Sequence, residues 1–407
     1  MADVLVVGAG PAGLTLAGQL AGVGDVVVVD RDDEPGGVPR HSHHLGYGMR
    51  DLRTMVTGPE YATRLADSAV DAGAALRLQA TVTGVHPDAD GLAVDITSPL
   101  GREVITTRAL VLATGCRERP RSARLVPGDR PAGVLTTGWL QRLVHLDHRS
   151  PGTRAVVVGA EHVSYSAVVT LADAGCRTVA MVTDKPRHTS YAAFDAAARL
   201  RYRFPLLTRT RITRIIGHER VTGVEVVDER TGEQHVIECD TVVFTGDWIA
   251  EHELARRLGL AMDAATSGPV VDGAFRTSMP GVFAVGNLLH PASTADRCAL
   301  DGRAAGRAVI DWLSGSPAPW PSTPAPVRVD PPLAWASPAA VTPGTAPPTV
   351  LLQVTRPMTL PTVTVTQGSR TLWSGRVPVA VPTRPFPIPG RWHADVTGAD
   401  EVRIRIS

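Results

Sequence analysis

Three glycines and one aspartate near the N-terminus have the types and spacing that a phosphate-binding loop needs. Gly8, Gly10 and Gly13 follow an apolar run, and the next apolar run ends at Asp30. In a G-x-G-x-x-G loop the first glycine makes the turn, the second lets the backbone approach a pyrophosphate, and the third lets helix and strand pack. The helix N-terminus attracts the phosphates, and the aspartate accepts from ribose hydroxyls. The sequence therefore predicts a dinucleotide site here.

A second run with the same order begins at residue 155, but two of its glycine positions have changed. Gly159 keeps the first position, Glu161 takes the second and Ser164 takes the third. Serine is small enough for close packing, whereas Glu161 places a carboxylate where the backbone must touch a pyrophosphate. Two like charges about 4 Å apart repel by about 1 kcal/mol in water and by about 4 kcal/mol at an effective dielectric of about 20. We therefore expect lost or remodelled dinucleotide binding at this loop.

Two alternatives stay open at the second loop. If Glu161 turns outward or caps the helix N-terminus itself, dinucleotide binding is weak but present. After the next predicted strand, Asp184 suits the ribose of NAD, whereas Lys185 and Arg187 suit the 2′-phosphate of NADP. The sequence therefore leaves open whether NAD(P)H binds and which of the two nucleotides is preferred.

A basic, histidine-rich segment follows Gly37 and offers groups for proton transfer. It contains Arg40, His41, His43 and His44. Histidine titrates near neutral pH, so it can give or take the proton that accompanies hydride transfer, and an arginine can hold a carboxylate through two hydrogen bonds. The other interpretation is that these side chains bind cofactor phosphate or satisfy buried polar groups. No acidic or thiol partner lies at metal-ligand spacing, so we expect no metal site.

The elements that must position these residues follow from the apolar pattern. Short β-branched runs meet glycine turns at the N-terminus and again near residue 154, which indicates two βαβ units on parallel sheets. Residues 315–348 contain eleven prolines and are predicted to form an extended linker. Alternating residues in 349–407 indicate a β-rich module. The predicted fold class is therefore α/β, with two Rossmann-like domains, a Pro-rich linker and a small all-β C-terminal module.

Composition disfavours several other classes of protein. The chain has 407 residues, 43% of them hydrophobic, and a net charge of +1, which is typical of a globular protein that does not bind nucleic acid. It has no uncharged apolar stretch of about 18 residues and no basic leader, so we expect neither a membrane span nor a signal peptide. Its four cysteines form no C-x-x-C pair, which disfavours dithiol, zinc and iron–sulfur sites and favours a cytoplasmic location.

Two later stretches show which family the chain resembles. ALVLATG at 109–115 is an apolar strand that ends in Ala-Thr-Gly, and TSMPGVFAVGN at 277–287 is a strand that ends in Gly-Asn. Together with the N-terminal loop they resemble the flavoproteins with two dinucleotide-binding domains, the superfamily of glutathione reductase and the ferredoxin reductases. The resemblance implies FAD in the first site, NAD(P)H in the second, and two nested domains.

The resemblance also implies which residues contact FAD. Gly286 and Asn287 correspond to a family Gly-Asp pair that approaches the ribityl chain and pyrophosphate, and Asn287 adds no charge. A helix that begins near Ala295 is expected to direct its N-terminus at flavin N1 and O2. The predicted FAD contacts are Gly8, Gly10, Pro11, Ala12, Gly13, Asp30, Arg31, Gly37, Arg40, Val82, Ala113, Thr114, Gly115, Gly286, Asn287 and Ala295. The predicted domains are an FAD domain (1–118 and 270–314), a second dinucleotide domain (119–269), the linker (315–348) and the β-rich module (349–407).

Two subgroups of this superfamily are distinguished by short segments. In disulfide reductases the redox cysteines stand at the second and seventh residues after the Gly-Gly pair, which here are Pro39 and His44. We therefore expect that the chain is not a disulfide reductase. Residues 133–141 keep a G-V-x-T-x-G-x-x-Q pattern that resembles the α-subunits of opine and amino-acid dehydrogenases and of hydrogen cyanide synthase. Those proteins typically add a cysteine-rich iron–sulfur domain, but no cysteine follows Cys298.

These features together predict an FAD-dependent oxidoreductase that transfers hydride between a small organic substrate and flavin N5. Arg40, His41, His43 and His44 are the predicted catalytic residues. One alternative is an NAD(P)H-dependent flavin reductase, and another is a noncatalytic flavoprotein or scaffold subunit of a multisubunit dehydrogenase. The expected partners are a small-molecule substrate and either a partner subunit or a second copy of the chain, without nucleic acid or membrane. The substrate and electron acceptor stay open.

Overall fold

The two predicted dinucleotide domains are present, and along the chain one is inserted in the other. The computed structural model describes residues 1–20, 22–89, 91–315 and 320–407. These residues form unit 1 (Met1–Arg40, Gly46–Arg117 and Ile249–Ser407) and unit 2 (His41–Leu45 and Glu118–Trp248). The chain returns to unit 1 at Ile249, earlier than the predicted boundary at 270. The reason is that Leu254, Leu258 and Leu260 pack in the hydrophobic core of unit 1.

The elements are numbered in chain order. Residues 2–118 contain β1 (Ala2–Val7), α1 (Pro11–Gln19), β2 (Val26–Val29), β3 (Leu45–Tyr47), β4 (Val56–Thr57), α2 (Gly58–Asp71), β5 (Ala75–Arg77), β6 (Thr81–Asp88), β7 (Gly91–Ser98), β8 (Gly101–Leu112) and β9 (Cys116–Glu118). Residues 134–250 contain β10 (Val134–Thr136), α3 (Thr137–His145), β11 (Arg154–Val158), α4 (His162–Asp173), β12 (Arg177–Val182), α5 (Ala192–Tyr202), β13 (Leu206–Leu207), β14 (Thr210–Gly217), β15 (Val221–Asp228), β16 (Gln234–Glu238), β17 (Thr241–Phe244) and β18 (Trp248–Ala250).

The remaining elements belong to unit 1. They are α6 (Glu253–Arg257), β19 (Val282–Ala284), α7 (Ala295–Leu313), β20 (Ala325–Val329), β21 (Leu333–Ser337), β22 (Ala340–Val341), β23 (Thr349–Val354), β24 (Met358–Thr359), β25 (Thr362–Gln367), β26 (Arg370–Arg376), β27 (Val379–Ala380), β28 (Phe386–Pro389) and β29 (Val402–Ile406). No described helix is long and apolar enough to cross a membrane.

The main sheet of unit 1 has the order β5-β2-β1-β8-β7-β6, with β19 also paired to β8. Strands β2, β1, β8 and β19 run parallel. The residues of β1, β2 and β19 and the last four residues of β8 are mostly buried, whereas β8 begins with four exposed residues. Helices α1 and α7 approach closely, since a Cβ on Gly302 would overlap the carbonyl of Ala12. This packing brings the end of β1, the end of β8 and the start of α7 to one edge of the sheet.

Unit 2 repeats the arrangement with a smaller parallel sheet. Its strand order is β10-β17-β11-β12-β13, and its βαβ unit is β11, α4 and β12. A three-stranded antiparallel sheet, β14-β15-β16, packs against it. The predicted fold class is confirmed by this pair of parallel-sheet domains and by the β-sheets of the C-terminal region.

The C-terminal β-rich module begins earlier than predicted. Strands β20, β21 and β22 lie inside the proline-rich range 315–348, and their apolar residues belong to the same core as the later strands. The prolines do not prevent this because several stand directly beside strands: Pro324 directly precedes β20, and Pro338 directly follows β21. Pro326 lies within β20 itself. Residues 316–319 of the predicted linker lie outside the described residues.

Candidate FAD site and the second nucleotide loop

Several of the predicted FAD contacts of unit 1 lie close together at the carboxyl ends of the parallel strands. Gly8 follows β1 with φ +110°, a conformation that glycine adopts without strain. A Cβ at this position would overlap the carbonyl oxygen of Ala113, which follows β8. The Gly8 amide donates to the carbonyl of Val29 (2.8 Å), so the loop is also held to β2.

Two further glycines close around the same loop. A Cβ on Gly37 would lie 3.1 Å from the Cα of Gly10, and a Cβ on Gly286 would lie 2.8 Å from the Cβ of Ala12. A Cβ on Gly10 itself would meet no atom within 4 Å. The backbone of Gly10 therefore faces open space at the start of α1, where Pro11 occupies the first turn. This is the space that a pyrophosphate needs, and we name these five residues (Gly8, Gly10, Gly37, Ala113 and Gly286) the FAD cradle.

Asp30 organises the loop from the end of β2. Its Oδ2 accepts from the amide of Ala9 at 2.6 Å, and its Oδ1 accepts from the amide of Asp32 at 2.9 Å. The carboxylate thus fixes both the glycine loop and the turn after β2. Arg31, the next predicted contact, is 70% exposed and lies 3.8 Å from Glu251.

The Ala-Thr-Gly segment after β8 is tied to the return of the chain into unit 1. The amide of Ala113 donates to the carbonyl of Val7 (2.9 Å). The hydroxyl of Thr114 donates to the carbonyl of Glu251 (2.7 Å), and the amide of Glu251 donates to the carbonyl of Gly115 (2.9 Å). Val82, another predicted contact, is buried in β6 as part of the unit 1 core.

Asn287 is engaged with its own loop. Its Nδ2 donates to the carbonyl of Ser293 (3.1 Å), and its Oδ1 accepts from the amide of the same residue (3.0 Å). These bonds shape the turn that leads to Ala295, the first residue of α7. Thr294 caps the helix by accepting from the amide of Arg297. The side chain that replaces the family aspartate therefore supports the loop between β19 and α7.

Arg40 lies in unit 1 and is surrounded by acidic residues. Its side chain is only 8% exposed. Nη1 donates to Asp33 Oδ1 at 3.1 Å and to the carbonyl of Glu34 at 2.9 Å, and Nε lies 3.8 Å from Glu34 Oε2. The guanidinium of Arg40 was predicted to bind a substrate carboxylate or a phosphate. In the structure it donates instead to Asp33 and to the carbonyl of Glu34, in the segment before Gly37.

The three predicted catalytic histidines belong to unit 2 and not to unit 1. His43 stacks on His145, with ring centroids 4.0 Å apart and 9° between the planes. Burial lowers the pKa of both imidazoles, and neighbouring histidines lower each pKa further. His44 is half-buried, with Nδ1 2.8 Å from the carbonyl of Leu45. His41 is half-buried. His145 gave no sequence signal, because nothing in its own segment shows that α3 packs beside residue 43.

Glu161 turns into the second loop. Its Oε2 accepts from the amide of Ala160 at 3.0 Å, and its Oε1 accepts from the hydroxyl of Thr245. Both carboxylate oxygens lie 2.8 Å from a Cβ placed on Gly159, and Oε1 lies 2.7 Å from a Cβ placed on Gly246. The outward orientation that was one alternative is therefore not adopted.

The four cysteines all lie among the described residues, and none forms a disulfide. Burial raises the pKa of Cys176 and of Cys239 to about 12. Burial also raises the pKa of Cys298 well above its ordinary value. Because the thiolate is the reactive form, these three thiols are poor nucleophiles at neutral pH.

A buried ionic cluster in unit 1 was not predicted. His290 and Asp301 are 2% and 3% exposed, and Nε2 of His290 contacts Oδ2 of Asp301. Arg297 donates to Oδ1 of Asp301 and, through Nη1, to the hydroxyl of Thr349 in β23 at 2.8 Å. The histidine and arginine hold the pKa of Asp301 below its ordinary value against the cost of burial. The cluster joins the FAD-type part of unit 1 to the β-rich module.

Comparison with known proteins assigns the family. The model of the pyridine nucleotide-disulphide oxidoreductase family matches residues 2–302. Thioredoxin reductase of Mycolicibacterium smegmatis is 28% identical over 321 residues, which cover 77% of this chain and 96% of that protein. One of the opine oxidase subunits of Agrobacterium tumefaciens is 32% identical over 181 residues, which cover 42% of this chain and 35% of that protein. The crystal structure of T. acidophilum thioredoxin reductase superposes with a TM-score of 0.66 at 23% identity, over 76% of this chain and 98% of that one.

The chain therefore belongs to the pyridine nucleotide-disulphide oxidoreductase family, and the predicted superfamily is confirmed. It is an FAD-dependent oxidoreductase, and the FAD cradle fits that cofactor through the open space over Gly10 and the amides of the loop.

One prediction is wrong. The sequence predicted a small organic substrate and no disulfide reductase activity, but the similar proteins include thioredoxin reductases in both comparisons. The exclusion rested on the missing thiols at Pro39 and His44, and two positions in one segment do not exclude disulfide chemistry, because a substrate can carry the disulfide itself. The roles of Arg40, His41, His43 and His44 stay predictions.

Proposed function

We propose that this chain is an FAD-dependent disulfide reductase in which a separate substrate molecule carries the disulfide and NAD(P)H is the electron donor. The overall reaction is NAD(P)H plus H⁺ plus one disulfide giving NAD(P)⁺ plus two thiols, so two electrons and one proton balance. FAD, when bound, accepts the two electrons from the nucleotide and passes them on. The observation that carries this proposal is the complete FAD cradle in a chain that the family model matches from residue 2 to residue 302.

The chain's own residues would hold the cofactor. The amides at the start of α1 would meet the pyrophosphate, aided by the helix dipole. Asp30 would keep the loop in its binding conformation through the Ala9 amide. The first turn of α7 is fixed by Asp296, whose carboxylate accepts from the amides of Gly48 (2.9 Å) and Arg50 (3.0 Å).

The cysteines support a disulfide that comes from outside the chain. Cys176 and Cys239 stay protonated at neutral pH because their pKa is about 12, and burial keeps Cys298 protonated in the same way. The chain has no C-x-x-C pair, the arrangement that is typical of an internal dithiol. A substrate disulfide reduced directly at the flavin needs none of these thiols. The predicted partner subunit or second copy of the chain stays a prediction.

The test is an anaerobic reduction of the FAD-loaded chain with NADH or NADPH, followed at the visible flavin band. Dithionitrobenzoate, glutathione disulfide and an oxidised thioredoxin are then added separately. We expect at least one disulfide to restore the oxidised flavin spectrum with two thiols formed for each nucleotide consumed. Reduced flavin that reacts with oxygen but with none of the disulfides would overturn the proposal.

A cysteine variant tests where the disulfide resides. The double variant Cys116→Ser/Cys298→Ser removes the two thiols of unit 1, and Cys176→Ser serves as the control in unit 2. We expect both to keep disulfide turnover, provided that they retain FAD. If only the double variant loses turnover while its flavin is still reduced by the nucleotide, the disulfide is an internal one and the substrate-borne assignment is wrong.

A further inference from the structure

Gly10 and Glu161 occupy the same position in the two nucleotide loops. Each is the residue directly before a loop helix, α1 for Gly10 and α4 for Glu161. Their backbones are nearly identical, with φ −85° and ψ −177° for Gly10 and φ −91° and ψ −179° for Glu161. This is extended backbone that any residue adopts, so the glutamate requires no change in the loop. At this position the two loops therefore differ in the side chain and not in the backbone conformation.

Within the second loop, the side chain of Glu161 fills the space that corresponds to the open space over Gly10 in the first loop. Its carboxylate lies against Gly159 and Gly246 and accepts from the Ala160 amide and the Thr245 hydroxyl. Those are the kinds of partner, a loop amide and a hydroxyl, that a phosphate oxygen takes at such a loop. The carboxylate of Glu161 therefore takes the place of a phosphate at these two donors, as an anion that the protein itself supplies.

The neighbouring segment supports this closed arrangement. The amide of Thr189 donates to the carbonyl of Ala160 at 2.9 Å. Nδ1 of His162, at the first position of α4, lies 3.0 Å from the hydroxyl oxygen of Ser190, and its ring meets that of Tyr191 edge-on with centroids 5.7 Å apart. The segment after β12 thus packs on the loop, so the loop is covered on one side and filled by Glu161 within.

We propose that Glu161 is an internal anion that occupies the phosphate position of the second loop and sets the affinity of the chain for NAD(P)H. A nucleotide binds there only after the carboxylate has left the Ala160 amide and the Thr245 hydroxyl. The binding free energy of the nucleotide is therefore less favourable, because those two hydrogen bonds are lost and because the displaced carboxylate repels the phosphates. The inference rests on the proposed function only in naming NAD(P)H as the competing ligand.

The test is calorimetric binding of ADP-ribose, NADH and NADPH to the FAD-loaded protein. Glu161→Gly reproduces the residue found at Gly10, and we expect it to bind the nucleotides about a hundredfold more tightly than the natural chain, a change of about 2.8 kcal/mol. Glu161→Gln keeps the size of the side chain without its charge, so its affinity is expected to lie between the two. Glu219→Gln, on the exposed turn between β14 and β15, removes a charge elsewhere in unit 2 and is expected to bind like the natural chain.

A second variant covers a failure of Glu161→Gly to fold. Glu161→Ala removes the carboxylate but leaves the Thr245 hydroxyl available to a phosphate oxygen, and it is expected to tighten nucleotide binding about as much as Glu161→Gly. Equal affinity for ADP-ribose in the natural chain and in whichever of these two variants folds overturns the inference.

Binding and turnover separate this inference from the proposed function. Tighter binding by Glu161→Gly without any disulfide turnover leaves the inference standing and the function wrong. Disulfide turnover with affinities that do not depend on Glu161 leaves the function standing and the inference wrong.

Discussion

Oδ2 of Asp30 accepts a hydrogen bond from the amide of Ala9 at 2.6 Å. The bond joins the end of β2 to the loop after β1, and it fixes the loop between Gly8 and Gly10 before any cofactor contact is made. Hydrogen bonds to a charged group are worth about 1.5–3 kcal/mol each. Asp30 therefore acts on FAD binding through the loop as well as through any ribose contact.

We expect Asp30→Ala to lower the affinity for FAD by about tenfold to a hundredfold, since one charge-assisted bond to the loop is lost. The measurement is the dissociation constant of FAD in the refolded or stripped protein, followed by flavin fluorescence. Asp25→Ala, an exposed acid before β2, is the control. Unchanged FAD affinity in Asp30→Ala would show that Asp30 does not stabilise the FAD cradle.

Gly10→Glu is expected to abolish FAD binding. A Cβ at this position meets no protein atom within 4 Å, so the glutamate fits the fold and its carboxylate can fill the loop as that of Glu161 does in unit 2. The readout is the ratio of flavin absorbance to protein absorbance after purification, with circular dichroism as the check on folding. Gly10→Gln separates charge from size and should retain more flavin. A folded Gly10→Glu protein with a full complement of FAD would contradict the assignment of the site.

Asp272 is expected to be the most sensitive acidic residue between the return segment and the β-rich module. It is 1% exposed and pairs with Arg276 at 2.7 Å, and it also accepts from the hydroxyl of Thr342 at 2.8 Å. Asp272→Ala removes the buried carboxylate that pairs with the largely buried guanidinium of Arg276, and the loss of one member of such a pair costs about 3–5 kcal/mol. Thr342→Val removes one hydroxyl donor to this carboxylate and should cost less, about 1.5 kcal/mol, because Asp272 keeps its pairing with Arg276. Denaturant unfolding of unit 1 measures both, and equal effects would show that the ion pair does not stabilise this junction.

His393 is expected to make the β-rich module sensitive to acid. The residue is fully buried, and burial lowers its pKa to about 4. Because the unfolded chain takes up the proton near pH 6.5 and the folded chain does not, stability is complete above pH 6.5 and is lost as the pH falls towards 4. The difference in pKa corresponds to about 3 kcal/mol at the lower end.

The measurement is the free energy of unfolding of the full chain at intervals from pH 7.5 to pH 4.5. His393→Leu removes the titrating group, and its curve should be flatter than that of the natural chain by the contribution of this one histidine. The carboxylates titrate in both proteins, so the comparison isolates His393. Parallel curves would mean that His393 takes up its proton in the folded state.

Much of the FAD cradle was predictable because each of its features is specified by a short stretch of sequence. A strand, a glycine turn and a helix occur together at Gly8–Gly13, and the Ala-Thr-Gly and Gly-Asn strand ends are equally short. The backbone demands of a tight turn and a close helix contact fall on single residues, so the residue type is visible in the sequence. The sequence could not show that Asn287 is bound to Ser293 or that Arg40 is held by Asp33 and Glu34, since side-chain partners depend on how the loops fold back.

The sequence by itself determined the class of fold, the first nucleotide loop and the irregular residue at the second loop. Only the tertiary structure decided where the carboxylate of Glu161 lies, because its partner Thr245 directly follows β17, far along the chain. The same holds for the stack of His43 on His145 and for the start of the β-rich module at β20. Local patterns specify strands, turns and helices, whereas the pairing of distant side chains follows from the burial of whole sheets and helices, which no single segment encodes.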